Sequence, residues 1–179
     1  MRLSLLPVLL LTVLLGSCFE SAKPLYDGAT PLRPFRDGAV LVSREDGKTE
    51  QARVREVTPG AYRFISAGDR PDDATAPARF FALPGAPAGT MVSQGRFNDD
   101  CTARARCAPM YVYSLWRMQS HRITVINPDC SKVRGVAQLP GVTARDSNCA
   151  FTSRASLERA MRMVASAGLK PDSVLTLQP

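Results

Sequence analysis

Apolar residues in most of the chain either alternate with polar ones or form short runs between turn residues, as they do in β-strands. This pattern predicts strands at residues 38–43, 51–57, 62–66, 79–83, 90–96, 110–116, 121–127 and 174–177. Short turns join most of these segments, and no helical segment separates them as it would separate parallel strands. The sequence therefore predicts an antiparallel meander.

Two turn signals set the register of the first three strands. Asp46-Gly47 is a strong signal for a two-residue hairpin loop, and it places Glu45 opposite Lys48. The following Pro-Gly turn places Glu56 opposite Arg63. Opposite charges that face each other across two strands contribute about 0.2–1 kcal/mol, so both pairs support a hairpin at that position.

A third hairpin is rich in aromatic residues. We expect its turn at residues 117–120, which places Val112 opposite Val125 and Trp116 opposite His121. Aromatic and β-branched residues are typical of strands that are half buried. The sequence thus predicts that one face of this hairpin lies in the core and the other at the surface.

The hydrophobic period changes near the end of the chain and predicts one helix. Apolar or small residues recur there with helical spacing, at Leu157, Ala160, Met161, Val164 and Gly168. Ser153 is the expected N-cap, Gly168 the first residue beyond the helix, and Glu158 and Arg162 the expected ion pair one turn apart. The predicted fold class is α+β. It is mainly a β meander, as a curved sheet or partly open barrel, with the C-terminal helix packed on it or plugging it; a closed, lipocalin-like barrel is the alternative.

The first seventeen residues have the features of a secretory leader. Arg2 supplies a positive end, an apolar run extends from Leu3 to Leu15, and the segment closes with Leu15-Gly16-Ser17-Cys18. This ending resembles the lipobox of bacterial lipoprotein precursors. The resemblance implies cleavage before Cys18 and diacylglycerol on its sulfur; the alternatives are an ordinary signal peptide with a chance cysteine, or a transmembrane anchor. The apolar run is shorter than the roughly 20 residues that a spanning helix needs.

The same resemblance implies a place in the cell envelope. An aspartate directly after the lipidated cysteine would favour retention in the inner membrane, and this chain has Phe19. The resemblance therefore favours the periplasmic face of the outer membrane in a Gram-negative envelope. Prolines among small and polar residues predict that residues 18–36 are an extended linker, and residues 37–179 are then a single globular domain.

The charge of the chain suggests its partners. The chain has 23 basic and 16 acidic residues and a formal net charge of +7. Beyond the membrane that holds the lipid, a positive envelope protein could contact an anionic envelope polymer or another envelope protein. The arginines are dispersed, which also fits an ordinary solvated surface. Nucleic acid is not an expected partner, because the leader predicts export and the chain has no recognition motif.

Four cysteines remain beside Cys18, and an even number in an oxidising compartment predicts two disulfides. The symmetry of the aromatic hairpin favours Cys107–Cys130 with Cys101–Cys149. Local pairing, Cys101–Cys107 with Cys130–Cys149, costs less chain entropy, and we favour it slightly. No metal site or cofactor is predicted, because the chain has one histidine and no Cys-x-x-Cys pair.

A basic loop is the first candidate for a binding site. Between Cys101 and Cys107, Arg104 and Arg106 lie on a short turn that could hold a phosphate or carboxylate by forked hydrogen bonds. Simple exposure of both arginines is the competing interpretation.

Other residues that could carry chemistry have equally ordinary explanations. His121 could serve acid–base catalysis but also fits a packing role opposite Trp116. Asp99-Asp100 could be imagined as a glycosidase pair, although adjacent side chains point apart. Tyr111 and Tyr113 share one strand face, whereas Trp116 lies on the other, so the three do not predict a single binding platform.

These observations predict a membrane-anchored envelope lipoprotein without a catalytic site. The stretch from Cys130 through Cys149-Ala150-Phe151-Thr152-Ser153 also loosely resembles small uncharacterised proteobacterial envelope proteins, which implies no activity. We expect a structural or ligand-binding module. The alternatives are an envelope hydrolase that uses His121 and a carrier of lipids or lipoproteins with an apolar cavity.

Overall fold

The computed structural model describes residues 19–45, 47–66, 76–97 and 110–178. The strands in these ranges are β1 (Phe19–Ser21), β2 (Val40–Glu45), β3 (Lys48–Thr58), β4 (Ala61–Ser66), β5 (Ala78–Ala82), β6 (Thr90–Phe97), β7 (Met110–Gln119), β8 (Arg122–Ile126), β9 (Val142–Arg145), β10 (Asn148–Phe151) and β11 (Ser173–Gln178). The helix is α1 (Arg154–Ser166), and a short 3₁₀ helix spans Val136–Gln138.

Eight of the strands form a closed antiparallel barrel. Strands β2 to β8 follow one another around the ring, and β11 pairs with both β8 and β2 to complete it. The contact between β4 and β5 is the shortest, with two residue pairs. The predicted α+β class, with a β meander and one C-terminal helix, is confirmed, and the sheet has the closed form. All eight predicted strands correspond to the barrel strands.

The interior of the barrel is filled with aromatic and aliphatic side chains. Seven strands contribute to this cluster, whose buried members are Phe35, Leu41, Val54, Tyr62, Phe80, Met91, Trp116, Ile123 and Val125. The rings of Phe80 and Trp116 are 5.1 Å apart, and Phe35 lies 5.4 Å from Phe80, both edge to face. Such aromatic pairs add about 0.5–1.5 kcal/mol to the effect of buried area.

Helix α1 packs on the outside of the barrel. Alternation along β5 turns Phe80 inward and Phe81 outward, and along β7 it turns Trp116 inward and Leu115 outward. The outward residues join the buried helix face, Leu157, Ala160, Met161 and Val164, in a second core. The helix is therefore on the barrel rather than inside it.

Helix α1 begins and ends where the sequence predicts, but the predicted ion pair on its surface is not formed. The Ser153 hydroxyl accepts a hydrogen bond from the backbone N–H of Ser156, and Gly168 has φ 63°. The predicted pair of Glu158 with Arg162 is wrong. Glu158 pairs instead with Arg154, one turn earlier, at 2.7 Å, whereas the Arg162 guanidinium donates to the carbonyl of Pro84.

The prediction that residues 18–36 form a linker is wrong for its described part. Strand β1 pairs with β7 on one side and with β10 on the other, and Phe19 is completely buried. Tyr26 and Phe35, farther along, are also buried. The prolines suggested an extended segment, but its aromatic residues bury enough apolar surface to fix it on the barrel.

Strands β9 and β10 form a small hairpin that the sequence did not reveal. Its turn has Asp146 at φ 51°, and it extends the sheet beyond β1. A disulfide joins Cys130 to Cys149 in β10, with the Cα atoms 5.4 Å apart. Cys130–Cys149 was half of the favoured local pairing, and that half is confirmed; Cys101 and Cys107 lie outside the described residues.

Two of the three predicted registers need correction. Glu45 faces Lys48 as expected. Between β3 and β4, however, a bulge shifts Glu56 to face Tyr62 instead of Arg63, and its carboxylate accepts from Gly60 N–H and from Arg33. These two hydrogen bonds stabilise the bulge under the Pro-Gly turn.

The aromatic hairpin turns two residues later than expected. Its loop is Ser120-His121, with Ser120 at φ 54°, so that Trp116 faces Val125 rather than His121. This register extends β7 to Gln119 and keeps Trp116 and Val125 together in the barrel interior. His121 is consequently exposed on the turn, and its predicted packing role is wrong.

Replacing Cys130 and Cys149 together by alanine should lower the free energy of unfolding by about 3 kcal/mol, since the bridge closes a loop of about 15–20 residues. Urea unfolding of both proteins under oxidising conditions measures the difference. A change below about 0.5 kcal/mol would show that the bridge contributes nothing to stability.

Candidate functional site

A groove of about 310 Å³ lies on the outside of the barrel, between strands β6 to β8 and the end of helix α1. Its volume is at the lower end of the range of ligand pockets, about 300–1,000 Å³. Part of its lining is apolar and comes from Leu115, Ile126, Val164 and Leu169. Leu115 and Ile126 are outward strand residues, Val164 is in the helix and Leu169 follows it; Leu115 and Val164 are buried, and Ile126 and Leu169 are half-buried.

Two arginines supply the charge of this groove. In the ladder between β7 and β8, Arg117 faces Thr124 and Gln119 faces Arg122, so all four side chains lie on the outer face of the barrel. Arg117 and Arg122 are diagonal neighbours on adjacent strands. Both are exposed, and among the described residues neither has a carboxylate within ion-pairing distance.

The hydroxyl of Thr90 is the unusual polar group of the groove. Thr90 faces Arg117 across β6 and β7, is 8 % exposed, and its Oγ1 has no hydrogen-bond partner among the described residues. An unpaired buried polar group of this kind costs about 1–3 kcal/mol.

The turn before Thr90 brings the start of β6 close to β7. Gly89 has φ 77°, and a side chain there would collide with the backbone carbonyl of Met118. The Met118 N–H in turn donates to the carbonyl of Gly89 at 2.9 Å. This close approach holds the start of β6 against β7 at the residue directly before Thr90.

The groove remains positive after its other charges are counted. The end of a helix carries about half a negative charge, and the last turn of α1 has no basic residue of its own. Two guanidinium groups exceed that partial charge. The nearest carboxylate in sequence, Asp172, accepts a hydrogen bond from the backbone N–H of Asn127 at 2.6 Å, and Lys170 is exposed beside it.

Tyr113 is a structural rather than a reactive residue. Its hydroxyl lies 2.7 Å from the Ser21 hydroxyl and accepts from the backbone N–H of Leu25. Burial raises the pKa of Tyr113 above its ordinary value, so the phenol stays neutral. The group fastens the N-terminal segment to β7.

Several residues that the sequence singled out lie outside the described residues. They are Cys18, Asp99, Asp100, Cys101, Arg104, Arg106 and Cys107. Of the others, Tyr111 packs on the second core with Tyr113, whereas Trp116 points into the barrel, so the predicted separation of the three is confirmed. His121 is exposed on a turn, and its ring makes no hydrogen bond within the described part of the chain.

A second basic surface appears on the outer face of β3, β4 and β5. Arg55 faces Arg63 directly, and Arg53 and Arg79 are outward neighbours on the flanking positions. The Nε atom of Arg63 is buried without a partner among the described residues. These arginines are far apart in the sequence, and only the register of the three strands reveals that they are neighbours.

Comparison with known proteins found no relative of this chain. No family model, curated protein or solved structure matches the chain. In the described ranges, no three His, Cys, Asp or Glu side chains come together as metal ligands. The one α-helix there is neither long nor apolar enough to cross a bilayer.

Replacing Thr90 by valine should leave the free energy of unfolding unchanged or raise it by about 1 kcal/mol, because the substitution removes an unpaired buried hydroxyl. Thermal unfolding of T90V and of the control T124V measures the effect. Thr124 is only half-buried, so its replacement should change stability little. A clear loss of stability in T90V alone would show that the hydroxyl has a partner.

Replacing Arg63 by glutamine should raise the free energy of unfolding by about 0.2–1 kcal/mol, because it removes a like charge opposite Arg55. The gain should shrink as salt is added, since salt screens the repulsion. In the control R44Q, the replaced residue is exposed and faces Thr49 outside this basic surface, so no such gain is expected. Equal changes in the unfolding midpoint for R63Q and R44Q at low salt would argue against repulsion.

Proposed function

We propose that this protein is a lipid-anchored module of the bacterial cell envelope that binds a ligand without catalysis. The observation that carries the ligand-binding part is the groove in which the unpaired Thr90 hydroxyl faces Arg117. A buried polar group without a partner lowers stability, and a ligand that pairs with it would explain its presence.

Anchoring rests on the resemblance of residues 15–18 to a lipobox, and the fold adds one consequence. Consecutive Cα atoms are about 3.8 Å apart, and Phe19 is fully buried between two strands. A lipid on Cys18 would therefore hold the folded body directly at the membrane surface, without a spacer. In a Gram-negative envelope, the periplasmic face of the outer membrane is the place that the residue after Cys18 favours.

The two alternatives have less support in the structure. A carrier needs an apolar cavity inside the sheet, whereas Phe35, Phe80 and Trp116 occupy the barrel interior in close ring contact. A hydrolase that used His121 would need a nucleophile or carboxylate beside an exposed turn. The described residues place neither in hydrogen-bonding contact with that ring.

The basic surface on β3 to β5 supports an anionic envelope polymer as a partner. Its four arginines have no ion pair among the described residues, and the nearby carboxylate of Asp37 accepts the backbone N–H of Glu56. A polymer with regularly spaced negative charges would relieve the repulsion between Arg55 and Arg63.

Mass spectrometry of the protein from its native host tests the anchor. We expect the mature chain to begin at Cys18 with diacylglycerol on the sulfur, and C18A to move from the membrane to the soluble fraction. Each buried methylene contributes about 0.8 kcal/mol to membrane affinity, so loss of the acyl chains should release the body. An unmodified Cys18 in a membrane-free protein would refute the anchored location.

A further inference from the structure

We propose that the groove beside helix α1 binds a single-chain amphiphile with an anionic headgroup, a phosphate or a carboxylate. This inference rests on the proposed ligand-binding function and adds the chemical class of the ligand.

The headgroup end follows from the polar side chains. Arg117 and Arg122 project from adjacent strands on the same face, and guanidinium groups pair with phosphate and carboxylate through two parallel hydrogen bonds. The Thr90 hydroxyl lies beside Arg117 and has no hydrogen-bond partner in the described part of the chain. An anion at this position would receive charge-assisted hydrogen bonds from both guanidinium groups and one from the hydroxyl.

The apolar end follows from the remaining lining. Leu115 and Val164 are already buried in the second core, whereas Ile126 in β8 and Leu169 after the helix are half-buried and still have exposed apolar surface. A free inorganic anion would leave the exposed part of Ile126 and Leu169 in water, whereas an alkyl chain would cover it and gain about 25 cal/mol per Å² buried. A groove of about 310 Å³ suits one chain better than the two chains of a membrane phospholipid.

The competing explanation is that the arginines only balance the end of the helix. A helix end carries about half a negative charge, so one partly exposed arginine would suffice. That explanation also gives no reason for an unpaired hydroxyl opposite Arg117. The ligand accounts for both observations.

Calorimetric titration of the mature chain with Cys18→Ala tests the proposal in the absence of its own lipid. This chain contains every residue of both cores. The probes are octyl phosphate, octanoate, octanol, octylammonium and inorganic phosphate. We expect saturable binding of octyl phosphate or octanoate at one site, at least tenfold tighter than octanol, octylammonium or phosphate alone. Tighter binding of octyl phosphate would identify the headgroup as a phosphate, and tighter binding of octanoate would identify it as a carboxylate.

Matched variants locate the site. R117Q/R122Q should weaken binding of the anionic probe at least tenfold, equivalent to about 1.4 kcal/mol. T90V should weaken it severalfold while keeping its stability. The control R44Q/R145Q removes the same charge from exposed positions on β2 and β9 and should leave the affinity unchanged. Salt should weaken binding of the anion but not of octanol.

The possible failures are distinguishable. Binding of octanol or octylammonium as tight as that of the anions would overturn the ligand class but leave a ligand-binding module. Equal losses in R117Q/R122Q and R44Q/R145Q would overturn the site. If no probe saturates, both the ligand class and the groove's role in the proposed function are refuted, whereas the lipid on Cys18 is tested separately by mass spectrometry.

Discussion

The side chains of strand β7 alternate between two cores, and both layers of the protein depend on this alternation. Trp116 points into the barrel, whereas Leu115 and Tyr113 point out to the layer that contains α1. The strand also pairs with β6 along one edge and with both β8 and β1 along the other. A slip of one residue would reverse every side chain and expose both cores, so the register of β7 is strongly specified.

The N-terminal segment is part of this arrangement. Strand β1 occupies the part of the β7 edge that β8 leaves free, and Tyr113 fixes it through Ser21 and Leu25. A residue that directly follows a predicted lipidation site is therefore inside the fold. If the lipid is attached as we propose, the distance and orientation of the barrel relative to the membrane are set by the fold and not by a flexible tether.

The groove lies where the outer layer is incomplete. Helix α1 packs on the outer face of β7 and on β10, and beyond its end the half-buried side chains of Ile126 and Leu169 line the groove together with Arg117 and Arg122. A fully optimised surface would have a solvated or apolar residue at position 90. An unpaired hydroxyl at this position lowers the stability of the fold locally. We assign a function to the groove because such a loss is typical of functional sites.

The sequence alone was sufficient to predict the eight barrel strands and the helix with its Ser153 cap, because periodicity and capping are local properties, and it slightly favoured the pairing of Cys130 with Cys149. It also carries the only indication of the lipid anchor. Other features came from the three-dimensional fold: the burial of Phe19, the bulge at Glu56, the turn at His121 and the position of Thr90 opposite Arg117. These features depend on contacts between residues far apart in the chain. The local pattern of apolar and polar residues does not indicate which distant strand will pair with a given strand edge or pack on a given face of the sheet.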